Sequence, residues 1–210
     1  MEVASIDAIP VEVGVRPLDD GGIAPYRGKH GAVEHVERVL LRLETTTGIE
    51  AWGEIRPSPS VESAVAVLES DIIPEAVGRP LWAIEAFRNS FHYEYLDVNG
   101  YVAGVEMAMW DALGHELGVP LHQLLGGRID EAVPIAAPLG ILSPERSREF
   151  ARRALEEGYD VLKVKAGRNW KEDVDRVLAM DKEVDGALEF RVDPNQGWTF
   201  EDAVRVGARL

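Results

Sequence analysis

Cysteine is absent from the 210 residues, which excludes disulfides, thiolate nucleophiles and cysteine-built metal sites. No apolar run approaches the roughly 20 residues that a helix needs to cross a bilayer. The opening residues, MEVASIDAIPVEV, lack a basic segment followed by an apolar core, so no secretory signal is visible and a cytoplasmic location is expected. Basic charge is scarce: 22 Lys and Arg face 37 Asp and Glu, for a net charge of -15. Such a surface repels nucleic acid and anionic membranes, so neither is expected as a partner. The acid excess, with Arg preferred over Lys, suits a cytoplasm at high salt, where repulsion is screened. Only five lysines occur, Lys29, Lys163, Lys165, Lys171 and Lys182.

Two of those five fall in one short stretch, VLKVKAG, residues 161 to 167. Strand side chains alternate faces, so Lys163 and Lys165 share one side while Leu162 and Val164 share the other. The next strand candidate, 188 to 193, repeats the pattern, with Glu189, Arg191 and Asp193 opposite Leu188, Phe190 and Val192. A parallel sheet covered on both sides normally reads as a continuous apolar run, so one charged face needs a reason. A barrel supplies it: the apolar face packs on outer helices, and side chains at the carboxyl ends of the strands line the mouth of the active site. The bland alternative is a solvated edge strand, and Asp193 before Pro194 also reads as a turn residue.

The remaining pattern fits an α/β protein in two parts. Residues 2 to 15 alternate as a strand, 16 to 32 form a glycine-rich loop, and 35 to 43 and 49 to 55, joined by TTTG, form an antiparallel hairpin. Helices are expected over 60 to 77, 80 to 95 and 101 to 117, the last with Val102, Val105, Met109, Leu113 and Leu117 as its buried stripe. After residue 130 the rhythm becomes strand, helix, strand, helix, strand, helix. The strands are 132 to 139, 161 to 165 and 188 to 193, with Ser143 and Thr199 as helix caps and Val174, Val177 and Leu178 as the apolar face of the middle helix. APLGILSPE lacks the glycine fingerprint of a doubly wound nucleotide-binding sheet. Three such units fall short of an eight-stranded barrel of about 250 residues, so the sequence is expected to stop partway through its second domain. The histidines, His30, His35, His92, His115 and His122, show no metal-ligand spacing.

Two neighbouring ammonium groups disfavour each other's charge, which makes one of them available as a neutral base. Asp193 adds a hard oxygen donor suited to a divalent cation. A base beside a metal that holds a carboxylate is the equipment for removing the proton from the adjacent carbon, with the metal stabilising the charge that develops. A Schiff-base enzyme with Lys165 as nucleophile and a non-catalytic half-barrel are the alternatives.

Three segments, GVEMAMWDALGHELGVPLHQLLGG at 104 to 127, KVKAG at 163 to 167 and VDPNQGW at 192 to 198, resemble the mandelate racemase and muconate lactonizing enzyme branch of the enolase superfamily. The resemblance implies an α+β capping domain over residues 1 to 130, then the first three βα units of a TIM-type barrel over 131 to 210. It implies Lys165 as the catalytic base and Lys163 as the lysine that tunes it and touches the substrate carboxylate. Asp193 would be the first Mg²⁺ ligand and Asn195 a polar contact to substrate. The loop at 16 to 32, with Tyr26, would meet the variable end of a small carboxylate substrate. A Mg²⁺-dependent α-proton abstraction through an enediolate is expected, ending in acid-sugar-type dehydration or in racemisation or epimerisation, with muconate-type cycloisomerisation as the alternative. A homo-oligomer is the expected assembly.

Overall fold

Alternation and glycine placement account for most of the elements in the computed structural model, which describes residues 1–91 and 98–210. The described residues fall into two compact units, one of Met1–Val13 with Val36–Glu131 and one of Gly14–His35 with Ala132–Leu210.

The first unit is an antiparallel sheet with helices. Strands β1 (Val3–Gly14), β4 (His35–Thr45) and β5 (Glu50–Ile55) lie in the order β1-β4-β5. Val39, Leu41, Leu43, Ala51 and Ile55 fall on one face and are buried there, while Glu54 and Trp52 point away. Gly48, at φ +85°, closes the β4–β5 turn in a conformation that other residues avoid. Helix α1 (Val61–Val67) runs through a π turn (Leu68–Ile72) into α2 (Ile73–Ala76), followed by α3 (Ile84–Arg88), α4 (Asn99–Leu117) and α5 (Leu121–Leu124). Gly118, at φ +66°, ends α4.

Within this unit α4 departs from its expected stripe. Val102, Val105 and Met109 are buried, but Leu117 is exposed, and the packed face runs through Gly104, Ala108 and Ala112. The reason is proximity: a Cβ on Gly53 of β5 would lie 2.1 Å from the Gly104 carbonyl oxygen, so the helix backbone lies on the strand itself. Small residues are what permit that approach. The helix expected over 80 to 95 is shortened to α3, with residues 80–83 and 89–91 outside it, and its expected end from residue 92, with His92, lies outside the described residues.

The second unit holds a three-stranded parallel sheet, β6 (Ala137–Leu139), β7 (Val161–Lys165) and β8 (Glu189–Asp193), in the order β6-β7-β8. Helices α6 (Pro144–Glu156), α7 (Trp170–Glu183) and α8 (Phe200–Gly207) follow the strands in turn. Each starts at a capping side chain: Ser143, Asn169 and Thr199 accept from the backbone N–H of Arg146, Lys171 and Asp202. Leu139, Leu162, Val164, Phe150, Ala151, Val177 and Met180 form the core between sheet and helices. This is the α/β part expected from the sequence, three consecutive βα units of a barrel-type sheet, preceded by an α+β unit.

Two expectations are corrected here. The strand expected over 132 to 139 is reduced to Ala137–Leu139, with Val133 and Ile135 exposed; Pro134 has no N–H to give a ladder. On α7, Leu178 is exposed and its place on the buried side goes to Asp173 and Arg176 beside Val174, Val177 and Met180. The glycine-rich loop also carries regular structure, a short hairpin of β2 (Tyr26–Gly28) and β3 (Gly31–Val33).

Candidate active site

Register decides which charged side chains meet. In the β7–β8 pair Lys163 lies beside Arg191 and Lys165 beside Asp193, while Leu162 and Val164 face the helices. The Lys165 Nζ donates to Asp193 Oδ2 at 2.7 Å and to Asn195 Oδ1 at 2.5 Å. The Lys163 Nζ lies 3.2 Å from the same Asp193 oxygen. The side chain of Lys165 is 14 % exposed and that of Lys163 41 %, so the inner lysine is the enclosed one.

Asp193 is thus a carboxylate between two ammonium groups. The Lys165 amine above all, with the Asn195 backbone N–H at 3.0 Å and Lys163, holds its carboxyl down at about 2 against the partial burial that opposes ionisation. The turn that follows is tight. Asn195 and Gln196 adopt φ of +45° and +62°, and the Gly197 N–H closes back on the Pro194 carbonyl at 2.8 Å. Asparagine tolerates that left-handed region, so Asn195 serves as turn former while its side chain reaches Lys165.

The β2–β3 hairpin lies against these turns within the same unit. Lys29 Nζ donates to the Gly197 carbonyl at 3.4 Å and Arg168 Nε to the Gly28 carbonyl at 3.0 Å. The Ile141 N–H donates to the Arg27 carbonyl at 2.6 Å, and a Cβ on Gly140 would stand 2.7 Å from the Arg27 nitrogen. Tyr26 in β2 is half-buried, and burial first, then the negative charge of Asp193, raises its phenol above the usual value. Of the residues singled out in the sequence, Lys163, Lys165, Asp193 and Asn195 come together in one hydrogen-bonded group, and Tyr26 is near enough to feel Asp193.

Asp193 is a hard oxygen donor of the type Mg²⁺ prefers, but a lone carboxylate does not make a Mg²⁺ site. Among the described residues no group of three or more His, Asp or Glu could hold a metal ion. Asp193 therefore fits as one ligand of a set, and the described donor set by itself does not fit the ion. Three residues behind the strands escaped the sequence reading: Asp173, Arg176 and the indole of Trp198, joined by hydrogen bonds. Their only signal was two charges, at positions i and i+3, on the apolar side of α7.

Residues 13–126 match the model of the mandelate racemase / muconate lactonizing enzyme N-terminal domain, and residues 146–210 match that of the enolase C-terminal domain-like family. The N-succinyl-L-Arg/Lys racemase of Bacillus cereus is 31% identical over 83% of this chain and 48% of its own length. Its crystal structure superposes with a TM-score of 0.90 at 28% identity, over 100% of this chain and 57% of that one. The chloromuconate cycloisomerase of Cupriavidus pinatubonensis is 34% identical over 84% of this chain and 50% of its own length. The dipeptide epimerase of Methylococcus capsulatus, in a crystal structure with Mg and the dipeptide L-Arg-D-Lys, gives a TM-score of 0.86 at 25% identity, over 99% of this chain and 58% of that one. The chain spans about half the length of the curated relatives it matches.

Proposed function

The chain belongs to the mandelate racemase / muconate lactonizing enzyme family, and from that premise we propose that the whole protein removes and returns the α-proton of a small carboxylate, with Lys165 as the base. The observation that carries the reading is the Lys165 amine, enclosed at the carboxyl end of β7 and held by Asp193 and Asn195 from the end of the adjacent strand.

In this reading the Lys165 amine takes the α-proton, and the electron pair of the C–H bond moves toward the carboxylate. Lys163, more exposed and on the same side of the strand, holds that carboxylate. Asn195 keeps the Lys165 amine in line, and Tyr26 meets the part of the substrate beyond the reacting carbon. Asp193 would be one carboxylate of a Mg²⁺ site, and such an ion would supply positive charge against the oxygen charge that builds as the proton leaves. In this reading residues 1–130 are the capping domain and 131–210 the barrel part, and residues 14–35 are the portion of the cap that groups with the barrel part.

The relatives' names favour racemisation or epimerisation of an N-acylated amino acid or dipeptide over dehydration of an acid sugar. Cycloisomerisation of a muconate is the second reading, favoured by the 34% identity to the chloromuconate enzyme. The test follows proton NMR in deuterium oxide with Mg²⁺, offering N-succinyl amino acids, dipeptides and muconate to the whole protein. Loss of the α-proton signal in the first two supports the first reading, and lactone formation from muconate supports the second. No exchange with any of them, or exchange that survives Lys165→Ala, overturns the assignment of the base.

A further inference from the structure

Lys165 and Asn195 sit at the ends of different strands, so their 2.5 Å hydrogen bond depends on how the turns after β7 and β8 are held. Those turns touch through backbone alone. A Cβ on Gly167 would lie 2.4 Å from the Pro194 carbonyl oxygen, and one on Gly197 would lie 2.6 Å from the Gly167 carbonyl oxygen. Gly167 also has φ +103°, a conformation that disfavours any other residue. The Ala166 N–H adds one backbone hydrogen bond between the turns, donating to the Asp193 carbonyl at 3.0 Å. A side-chain tie is added from behind, where the Asp173 carboxylate is buried on the first turns of α7.

Asp173 Oδ2 accepts from the Gly167 N–H at 2.8 Å and from the Trp198 indole N–H at 3.1 Å. One donor belongs to the turn after Lys165 and the other to the turn after Asp193. Its second oxygen accepts from Arg176 Nη2 at 3.0 Å, and the same nitrogen donates to the main-chain carbonyl of Lys165 at 2.6 Å. Burial lowers the pKa of the Arg176 guanidinium, and the charge of Asp173 opposes that shift. Among the described residues Arg176 Nη1 has no hydrogen-bond partner.

We propose that Asp173, with Arg176 and Trp198, is a positioning device for the reaction: one buried carboxylate clasps both active-site turns and thereby fixes the Lys165 amine against Asn195 and Asp193. The proposal rests on the reading of Lys165 as the base. The β2–β3 hairpin meets the clasped turns only at their surface, through Lys29 on the Gly197 carbonyl and Arg168 on the Gly28 carbonyl, whereas Asp173 and Arg176 hold them from the α7 side. Loosening the clasp therefore displaces the base more than the substrate-binding groups, which keep their own strand and hairpin supports.

The test uses two variants of the whole protein. Asp173→Asn with Arg176→Met removes both buried charges together, which avoids leaving one unpaired. Trp198→Phe keeps the ring and removes one donor. The expected result for the double variant is a fall in kcat of tenfold or more with KM within threefold, and for Trp198→Phe a fall of two- to fivefold with an unchanged melting temperature. A folded double variant with wild-type kcat, or a matched loss of kcat and folded fraction, overturns the proposal. If the double variant does not fold, Trp198→Phe decides by the same criterion. If the unaltered protein exchanges no α-hydrogen, the assignment of the base fails instead. The clasp is then read from crystals of the double variant, where the Lys165 Nζ to Asn195 Oδ1 separation is expected to open beyond hydrogen-bond reach. An unchanged separation overturns it.

Discussion

The two units bury polar groups differently. Among the described residues of the first unit, the buried polar side chain is Thr45; in the second they are Ser147, Asp173 and Arg176. Thr45 satisfies its own hairpin, donating to or accepting from Thr47 and accepting from the Ile49 N–H. Asp173 and Arg176 instead reach across two turns to the strand that carries Lys165. A buried charge pair is a poor source of stability, since desolvation offsets most of the attraction. Among the described residues such a pair is buried only behind the lysine strand, whereas the buried side chains of the first unit are apolar apart from Thr45.

The largest effect that would break this contrast is at the base itself. Lys165→Ala is expected to lower α-hydrogen exchange by about 10³-fold or more, equivalent to roughly 4 kcal/mol of transition-state stabilisation, with little change in melting. Deuterium incorporation and thermal unfolding on the same sample check both halves. The counterpart in the first unit is Leu41→Ala, a fully buried core position, where about 3 kcal/mol of stability should be lost, read by urea unfolding.

Close backbone approaches give a sharper pair. Gly53→Ala would bring a Cβ to 2.1 Å from the Gly104 carbonyl oxygen, and Gly167→Ala one to 2.4 Å from that of Pro194. Each should cost about 2 kcal/mol or more, since backbone cannot step aside cheaply. The two should differ in kind: Gly53→Ala lowers the unfolding midpoint with kcat per folded molecule unchanged, whereas Gly167→Ala lowers both. Equal loss of kcat in the two would erase the contrast.

The smallest expected effect is a pH dependence. Asp193 has a folded pKa of about 2, below the usual carboxylate value of about 3.9. A depressed carboxylate contributes stability that is complete above the unfolded pKa and is lost as pH falls through the folded one. Its share, discounted for solvent screening, is on the order of 1 kcal/mol, present at pH 5 and fading between about pH 4 and pH 2. In metal-free chain the stability difference between the parent and Asp193→Asn should shrink over that window. A difference independent of pH would remove the two lysines as its cause.

Much of the second unit was legible because its physics is local. Alternation in VLKVK separates Lys163 and Lys165 from Leu162 and Val164 without any knowledge of neighbours, and the Ser143 and Thr199 side chains cap helices by accepting from backbone N–H groups three residues on. Reading α4 by its large apolar residues failed at Leu117, because burial there follows how near a strand can come, and Gly53 with Gly104 allows contact that no periodicity announces. The role of Trp198 escaped for a similar reason: its indole partner, Asp173, lies on α7, 25 positions earlier in the chain.

The sequence by itself determined which residue types share a strand face, where helices begin, and that two of five lysines stand side by side with a carboxylate one strand later. The tertiary structure alone decided that the Lys165 amine meets Asn195 and that Asp173 joins the two turns, because these are angles and separations between segments 28 to 30 and 6 to 25 residues apart. Strand alternation is a property of one chain segment. A hydrogen bond between two turns depends on register, and register is settled only when the sheet and its helices pack.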